Sequence, residues 1–353
     1  MVTPHKHLVL ASLLGLAIAT SFIFFATSVT VIPTPQPEEK AIDRHPSTTI
    51  AVVKEKPSYI FFTGDIMLAR HVEILLRDNL IKPYDFISLF ASAEAVFVNF
   101  ESAMRDPHLP TPSGAMQFST SPQSLSLLKA LNVSHASLAN NHSRDHGREG
   151  YTFARTSLAD IGIEPFGDAV TVSSSSLTYT LLGSTTIAVL GIHTLFVPPD
   201  RIIMKNLLNE AKTKSDLQFV YIHWGDEYEL VHNRSQEELA TWFASEGVDA
   251  VIGHHPHVVQ DIGLIGTMPV FYSLGNFVFD QYFSEDVKRG LVIGLEVTPQ
   301  NLHFALYPQA QCAKATPCLM DKEAEDHFLL ALADRSASSL FDQIAAKNIV
   351  IQR

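Results

Sequence analysis

Histidines, carboxylates and carboxamides in this chain gather directly after short apolar runs, where a divalent cation or a proton transfer could use them. Residues 59–63 lead into Gly64-Asp65, residues 95–98 into Asn99-Phe100-Glu101, and residues 134–139 into Asn140-Asn141-His142. Residues 217–222 lead into His223-Trp224-Gly225, and residues 249–252 into Gly253-His254-His255-Pro256-His257. A divalent metal ion wants oxygen and imidazole donors converging from separate elements, with neighbours that fix their orientation. His255 and His257, two residues apart in a Pro-containing turn, can face one site as a pair. His254 reads as their neighbour, because adjacent side chains of an extended segment point apart. Each cluster also has a plain structural reading. Asp65 can cap a helix, Asn140-Asn141 suit a tight turn, Glu101 can be a loop carboxylate, Asn99 can end its strand, and His223 can be a satisfied core histidine. Taken separately, those readings do not account for all five clusters falling at the ends of apolar runs.

The elements that must position these groups follow from the hydrophobic period. Short apolar runs alternating with amphipathic stretches argue for an α/β fold of buried parallel strands joined by helices, and in such sheets ligands sit beyond the carboxyl ends of the strands. The pattern predicts helices over residues 121–131, 148–161, 201–214 and 235–246. Residues 177–182, 186–192, 269–273, 290–297 and 301–307 read as strands separated by turns, antiparallel additions that could build a second sheet on the first. Residues 323–353 read as a helical tail.

Of the 353 residues, 46% are hydrophobic and 18% charged, which excludes a disordered chain. Twenty-five basic against 37 acidic residues give a formal charge of −12, a poor surface for phosphate backbones, so no nucleic-acid partner is expected. Residues 8–32 are uncharged and mostly apolar, long enough to cross a hydrocarbon core of about 30 Å as a helix. Lys6 precedes them and Glu38-Glu39 follow, which sets the N-terminus on the cytoplasmic side. A cleaved signal peptide is the rival reading, but the run exceeds a usual signal core and no small-x-small site follows. The expectation is a single-pass cell-membrane protein with its main domain outside: anchor 1–32, Pro-rich linker 33–57, main domain 58–310 and C-terminal tail 311–353. Cys312 and Cys318 are placed to close a local disulfide in an oxidising compartment, with two free thiols as the alternative.

Six segments occur in order: residues 63–70 (TGDIMLAR), 99–101 (NFE), 138–142 (LANNH) with Asp145 and Gly147, 223–228 (HWGDEY), 253–258 (GHHPHV) with Gln260, and 272–281 (YSLGNFVFDQ). Together they resemble the motif series of the CapA/PgsA family of poly-γ-glutamate capsule biosynthesis proteins, over residues 59–307. The resemblance implies a four-layer α-β-β-α sandwich of the calcineurin-like metallophosphoesterase type, preceded by an N-terminal transmembrane helix. It implies metal ligands at Asp65, Glu101, Asn141, His223, His255 and His257, with Asn99 beside Glu101 at the bridging position. It further implies His142 as the acid that protonates a leaving group, oriented by Asp145. Arg70, Asn99, Glu227 and Asn276 are the expected substrate contacts, with Arg70 either holding an anionic group or pairing with an acid as a surface arginine, and Glu227 and Asn276 alternatively supporting the ligands from behind. The expected cofactor is one or two divalent ions, with Mn, Zn or Fe favoured over Mg by the imidazoles. Two departures stand out. Met67 replaces the histidine of the usual Asp-x-His, and Asn-x-Glu replaces Gly-Asp-x-x-Asp, which puts one metal position in doubt. The implied function is a metal-dependent hydrolase or transferase in capsule or envelope-polymer synthesis and export. The alternative is a non-catalytic, metal-containing polymer-binding subunit. Implied partners are an anionic polymer or phosphoester substrate, the membrane, and membrane-bound capsule-synthesis subunits.

Overall fold

Apolar side chains alternate along the first strand, Ile60 and Phe62 packing into one core and Phe61 into another, so this strand is covered on both faces. The same alternation runs through the fold and sorts it into layers. The computed structural model describes residues 58–112 and 114–353. The chain begins with β1 (Ile60–Ile66), β2 (Ala95–Phe100), β3 (His135–Ser137) and β4 (Glu164–Phe166), all parallel in a first sheet. It then builds a second sheet from β5 (Leu177–Leu182), β6 (Thr185–His193), β7 (Leu217–His223), β8 (Ala250–His254), β9 (Ile262–Ile265) and β10 (Met268–Phe271). It returns to the first sheet with β11 (Asn276–Val278), β12 (Arg289–Val297), β13 (Asn301–Ala313), β14 (Thr316–Leu319) and β15 (Asn348–Gln352). The first sheet is ordered β14-β13-β12-β1-β2-β3-β4, with β11 beside β1 and β15 beside β13; the second is β5-β6-β7-β8-β10-β9.

Helices α1 (Arg70–Arg77), α2 (Tyr84–Phe90), α3 (Ser126–Ala130) and α4 (Gly147–Asp160) cover the outer face of the first sheet through Val72, Phe86, Leu128 and Ala154. Helices α5 (Arg201–Lys214) and α6 (Arg234–Ser245) cover the second through Met204, Leu208 and Phe243. Ile60, Phe62, Phe97, Phe219, Tyr221 and Ile252 fill the space between the sheets. Helix α7 (Lys322–Arg335) adds Leu329 and Leu332 to that inner core, and α8 (Phe341–Ala345) adds Ile344. The architecture is therefore an α/β two-sheet sandwich with helices outside both sheets.

Several expectations need correction. The sequence pattern did not divide the parallel strands between sheets: β1 to β4 lie in one, β6, β7, β8 and β10 in the other, and antiparallel strands edge both. The helix expected over 121–131 is split, because Ser121 caps a 3-10 turn Pro122–Leu125 before α3 begins. The tail is not wholly helical. Ile349 and Ile351 are both buried, a period of two that makes β15 an antiparallel partner of β13. Cys312 and Cys318 are bridged, with Cα atoms 5.9 Å apart. The expected anchor and linker lie outside the described residues. Among the described residues no helix is long and apolar enough to cross a membrane. The longest have 14 residues, about 21 Å at 1.5 Å per residue, against about 30 Å of hydrocarbon. The transmembrane element of the fold, the membrane as partner and the single-pass localisation thus find no support among the described residues.

Two glycines let backbone segments touch beside the strand ends. A Cβ on Gly253, next to His254, would stand 2.0 Å from the Tyr272 carbonyl oxygen, and one on Gly64, next to Asp65, 2.0 Å from that of Gly275. Gly253→Ala is accordingly expected to lower stability by about 1–3 kcal/mol through overpacking. Urea unfolding checks this, and an unchanged midpoint would show that the strands can part without loss.

Candidate functional site

The carboxyl ends of both sheets deliver the chemistry-bearing residues in register. In the first sheet Asp65 pairs with Asn99 on one side and Asn276 on the other, and Asn99 pairs with Ser137. In the second, His193 of β6, His223 of β7 and His254 of β8 form one row. Left-handed backbone at His255 (φ 100°) and His257 (φ 58°) turns the chain back after β8 and brings both rings to the same place.

Asp65 is fully buried and takes four contacts from both sheets. Asn99 Nδ2 donates to its Oδ1 at 2.8 Å, His254 Nδ1 lies 3.2 Å from Oδ1, the His255 N–H reaches Oδ2 at 3.3 Å, and His257 Nδ1 lies 3.3 Å from Oδ2. Burial alone would raise its pKa, but the His254 and His257 contacts hold the carboxyl well below the usual range. Glu101 is equally buried, and neither carboxylate oxygen has a hydrogen-bond donor. Burial, with Asp65 and Glu227 adding repulsion, pushes its pKa well above the ordinary value against the pull of His257. His257 Nε2 lies 3.6 Å from Glu101 Oε1; burial would lower its pKa, yet Glu101 and Asp65 raise it to about 9. His223 and His255 go the other way. Burial first, then the neighbouring imidazoles, lowers His223 well below its usual value and His255 to about 3. Asn141 Oδ1 faces His223 Nε2 at 2.9 Å, and Asn99 Nδ2 faces its Nδ1 at 3.1 Å.

His142 stands beside this group with its ring doubly fixed. Its Nδ1 lies 2.9 Å from Asp145 Oδ2, and Phe118 stacks on it at 3.9 Å between centroids. The same Asp145 oxygen accepts the Phe118 N–H at 2.6 Å, so one carboxylate aligns both the ring and the residue stacked on it. Asn140 Oδ1 accepts the His142 N–H at 3.1 Å.

Of the residues singled out from sequence, Asp65, Asn99, Glu101, Asn141, His223, His255 and His257 converge. Glu227 lies with His255 and His257; their donor atoms are within 4.8 Å of one another, as are those of Asp65, Glu101 and His223. Asn276 is buried, its Oδ1 3.0 Å from His257 Nδ1 and its Nδ2 donating to Gln281 and the Val287 carbonyl, each at 3.0 Å, so it orients His257. Arg70 is ion-paired with Asp280, Nε donating to Oδ2 at 3.2 Å and Nη2 to Oδ1, and its guanidinium lies 4.6 Å over the Phe118 ring. The cation expected to receive an anionic partner is thus already neutralised. The expectation of an anionic polymer or phosphoester partner held there is corrected. Met67 is buried, its sulfur accepting the Ala69 N–H at 3.1 Å.

Three residues escaped the sequence reading. His254 was set aside as a neighbour, yet it ends β8 in register with His223 and reaches Asp65. His193 ends β6 as His223 ends β7, and the same apolar-run signal would have found it. Asn140 donates to Asn99 Oδ1 at 3.1 Å and to the Phe100 carbonyl at 2.9 Å, tying β2 to the loop that carries His142.

Cation binding can be tested on the donor set. Glu101 has two buried oxygens without a donor, and His254 Nε2 and His255 Nδ1 are also buried without partners. Oxygen and imidazole atoms within 4.8 Å of one another fit a divalent ion, and the two groups, Asp65 with Glu101 and His223 and Glu227 with His255 and His257, suit one or two such ions. The pattern of the family described as "Bacterial capsule synthesis protein PGA_cap" matches residues 59–281, which contain every donor named above. The "PGA biosynthesis protein CapA" of Bacillus subtilis (strain 168) is 30% identical over 274 residues, 69% of this chain and 71% of that protein. The "Capsule biosynthesis protein CapA" of Bacillus anthracis is 29% identical over 267 residues, 65% of this chain and 61% of that one. Among solved structures, a novel phosphatase from Mycoplasma pneumoniae aligns over 72% of this chain and 88% of its own at 14% identity, with a TM-score of 0.42. Since one pattern spans β1 through the turn after β11 and so takes in both sheets' carboxyl ends, the chain belongs to the bacterial capsule synthesis protein family, PGA_cap.

Proposed function

We propose that the chain is a metal-dependent hydrolase or transferase of phosphoesterase type that acts in capsule or other envelope-polymer synthesis. The observation that supports this reading most is Glu101, a buried carboxylate with no donor on either oxygen, within reach of Asp65 and His223. Buried carboxylate oxygens left without a donor are costly, burial already works against their ionisation, and a divalent cation is the partner that would let Glu101 stay ionised there. Asp65, Glu101 and His223, with Asn141, would form one holding set, and Glu227, His255 and His257 the other. The imidazoles favour Mn, Zn or Fe over Mg. A bound ion of this kind polarises a phosphoryl or carbonyl oxygen and makes water acidic near neutral pH.

The chain's own side chains supply positioning and proton transfer. Asp145 holds the Nδ1 side of His142, which leaves Nε2 free to give a proton to a departing oxygen or nitrogen. Phe118 sets the plane of that ring. Asn276 fixes His257, and Asn99 and Asn140 fix the Asp65–His223 side. The names of the relatives, which speak of PGA and capsule biosynthesis, support the polymer context. A second reading, a polymer-binding subunit without turnover, draws on Met67, a thioether where phosphoesterases carry a ligating histidine.

Elemental analysis of the purified protein is expected to find at least one divalent ion per chain. Glu101→Gln should weaken its retention at least about tenfold. Equal metal content in the variant and the unaltered chain would remove Glu101 from the holding set.

His142→Ala is expected to lower kcat on phosphodiester or γ-glutamyl test substrates by about 10²–10⁴-fold at unchanged metal content. Turnover that survives the substitution would take the acid role away from His142. Polymer binding without turnover in any metal would establish the second reading.

A further inference from the structure

Tyr228 closes the HWGDEY segment, yet the chemistry above gives it no task. Its backbone is left-handed, φ 68°, a conformation that a bulky aromatic residue seldom adopts and that tends to persist at functional sites. Two bonds hold it there. Its N–H donates to the Pro256 carbonyl at 2.8 Å, inside the turn that carries His255 and His257, and its hydroxyl accepts from Gln281 Nε2 at 3.2 Å. Gln281 in turn accepts from Asn276, which faces His257, so Tyr228 is tied to the 255–257 turn by its backbone and to the partner of His257 by its hydroxyl. Despite these ties Tyr228 remains 41% exposed, its ring 6.2 Å from that of His257 and edge-on to Phe283 at 5.0 Å.

The exposed side of Tyr228 faces a cavity of about 530 Å³, whose walls include Arg70, His71, Met116, Gln281 and Phe283. Phe283 and Met116 are among the most exposed large apolar side chains of the described residues, at 66% and 64%. Two of its wall residues adjoin the site: Tyr228, whose ring lies beside that of His257, and Arg70, whose guanidinium lies over the Phe118 ring that stacks on His142. Its one arginine is balanced by Asp280, so the walls carry aromatic and thioether surface with little net charge.

We propose that this cavity is the subsite for an uncharged ring- or CH-bearing segment next to the scissile group, with Tyr228 as the positioning residue that seats it against Phe283. It rests on the phosphoesterase-type reading of the neighbouring site. Aromatic faces favour such a segment by packing, and the hydroxyl offers its oxygen-bearing edge a hydrogen bond.

The test compares two phosphodiesters with one leaving group, bis(p-nitrophenyl) phosphate and methyl p-nitrophenyl phosphate, on the metal-loaded full chain. The unaltered chain should show the lower KM for the diaryl ester. Phe283→Ala should erase that preference by about 3- to 10-fold through KM, with kcat and metal content largely kept, and Tyr228→Ala should erase it to the same extent. Tyr228→Phe, which retains the ring, should keep the preference. A KM ratio that is the same in all four proteins overturns the subsite, as does a loss in which both esters suffer equally. If neither ester is turned over, the parent reading fails. Calorimetric dissociation constants for the two esters then decide the subsite separately, equal constants in unaltered and Tyr228→Ala protein ending it.

Discussion

One buried carboxylate joins the two sheets. Asp65 ends β1 in the first sheet, and three of its four contacts come from the second, from the His254 ring, the His255 N–H and the His257 ring. A carboxylate this deep is tolerated only when its oxygens are met by donors or positive charge. Here the imidazoles meet that demand well enough to hold Asp65 ionised against its burial. Packed sheets could slide along one another on hydrophobic contacts alone, since those contacts have no direction. The Asp65 contacts have direction, and they fix both carboxyl ends at the same level. The remaining donors gather because β2, β7 and β8 are hydrogen-bonded neighbours within those two sheets.

The same geometry sets the protonation of the centre. Asp65 and Glu101 are both fully buried, yet their pKa values are driven apart, Asp65 down by His254 and His257, Glu101 up by burial and by Asp65 itself. His257 sits between them at about 9 and so carries a proton near neutral pH when no ion is bound. An imidazolium cannot ligate. A cation entering this group must therefore displace the His257 proton, and it replaces that proton as the positive charge facing Glu101. His223 and His255, already neutral because of burial, need no such exchange. Ion binding is thus linked to proton release at His257 and at Glu101, whose raised pKa favours its protonated form when no ion is bound.

The sequence made the positions of the chemistry legible more readily than its partners. A run of apolar residues closed by Asp, Asn or His marks a strand end without any alignment, and Asp65, Asn99, His223 and the 254–257 turn were found that way. The strand Leu177–Leu182 and the helices Arg201–Lys214 and Arg234–Ser245 were also close to expectation, the helices because each has a clear period and a cap, Asp200 or the Asn233–Gln236 box, whereas the strand expected over 301–307 runs on to Ala313. What could not be read was anything settled by contacts distant in sequence. Which sheet a buried strand joins depends on the face its neighbours offer, and an apolar run looks the same in either. The role of Arg70 depended on Asp280, 210 residues away. His254 and His255 do point apart, but the rule does not say which ring faces the carboxylate: His254 reaches Asp65 with its ring, His255 only with its backbone N–H.

Charge at the site and charge on the chain point to different things. A formal charge of −12 suggests an acidic surface, and a polyanion approaching it would need a cationic receiving group. Arg70 is the arginine closest to that duty, and it spends its charge on Asp280 while packing on Phe118. Positive charge near the reacting groups therefore comes from His257 or from the ion that replaces its proton, deep in the centre and not at the rim. The rim itself, with Tyr228, Phe283 and Met116, is apolar and exposed. Attraction for a negatively charged group is thus confined to the point of reaction, while selection of what flanks it falls to packing. A site divided in this way would discriminate substrates by the shape of the segment beside the scissile bond and would be little affected by ionic strength at its entrance.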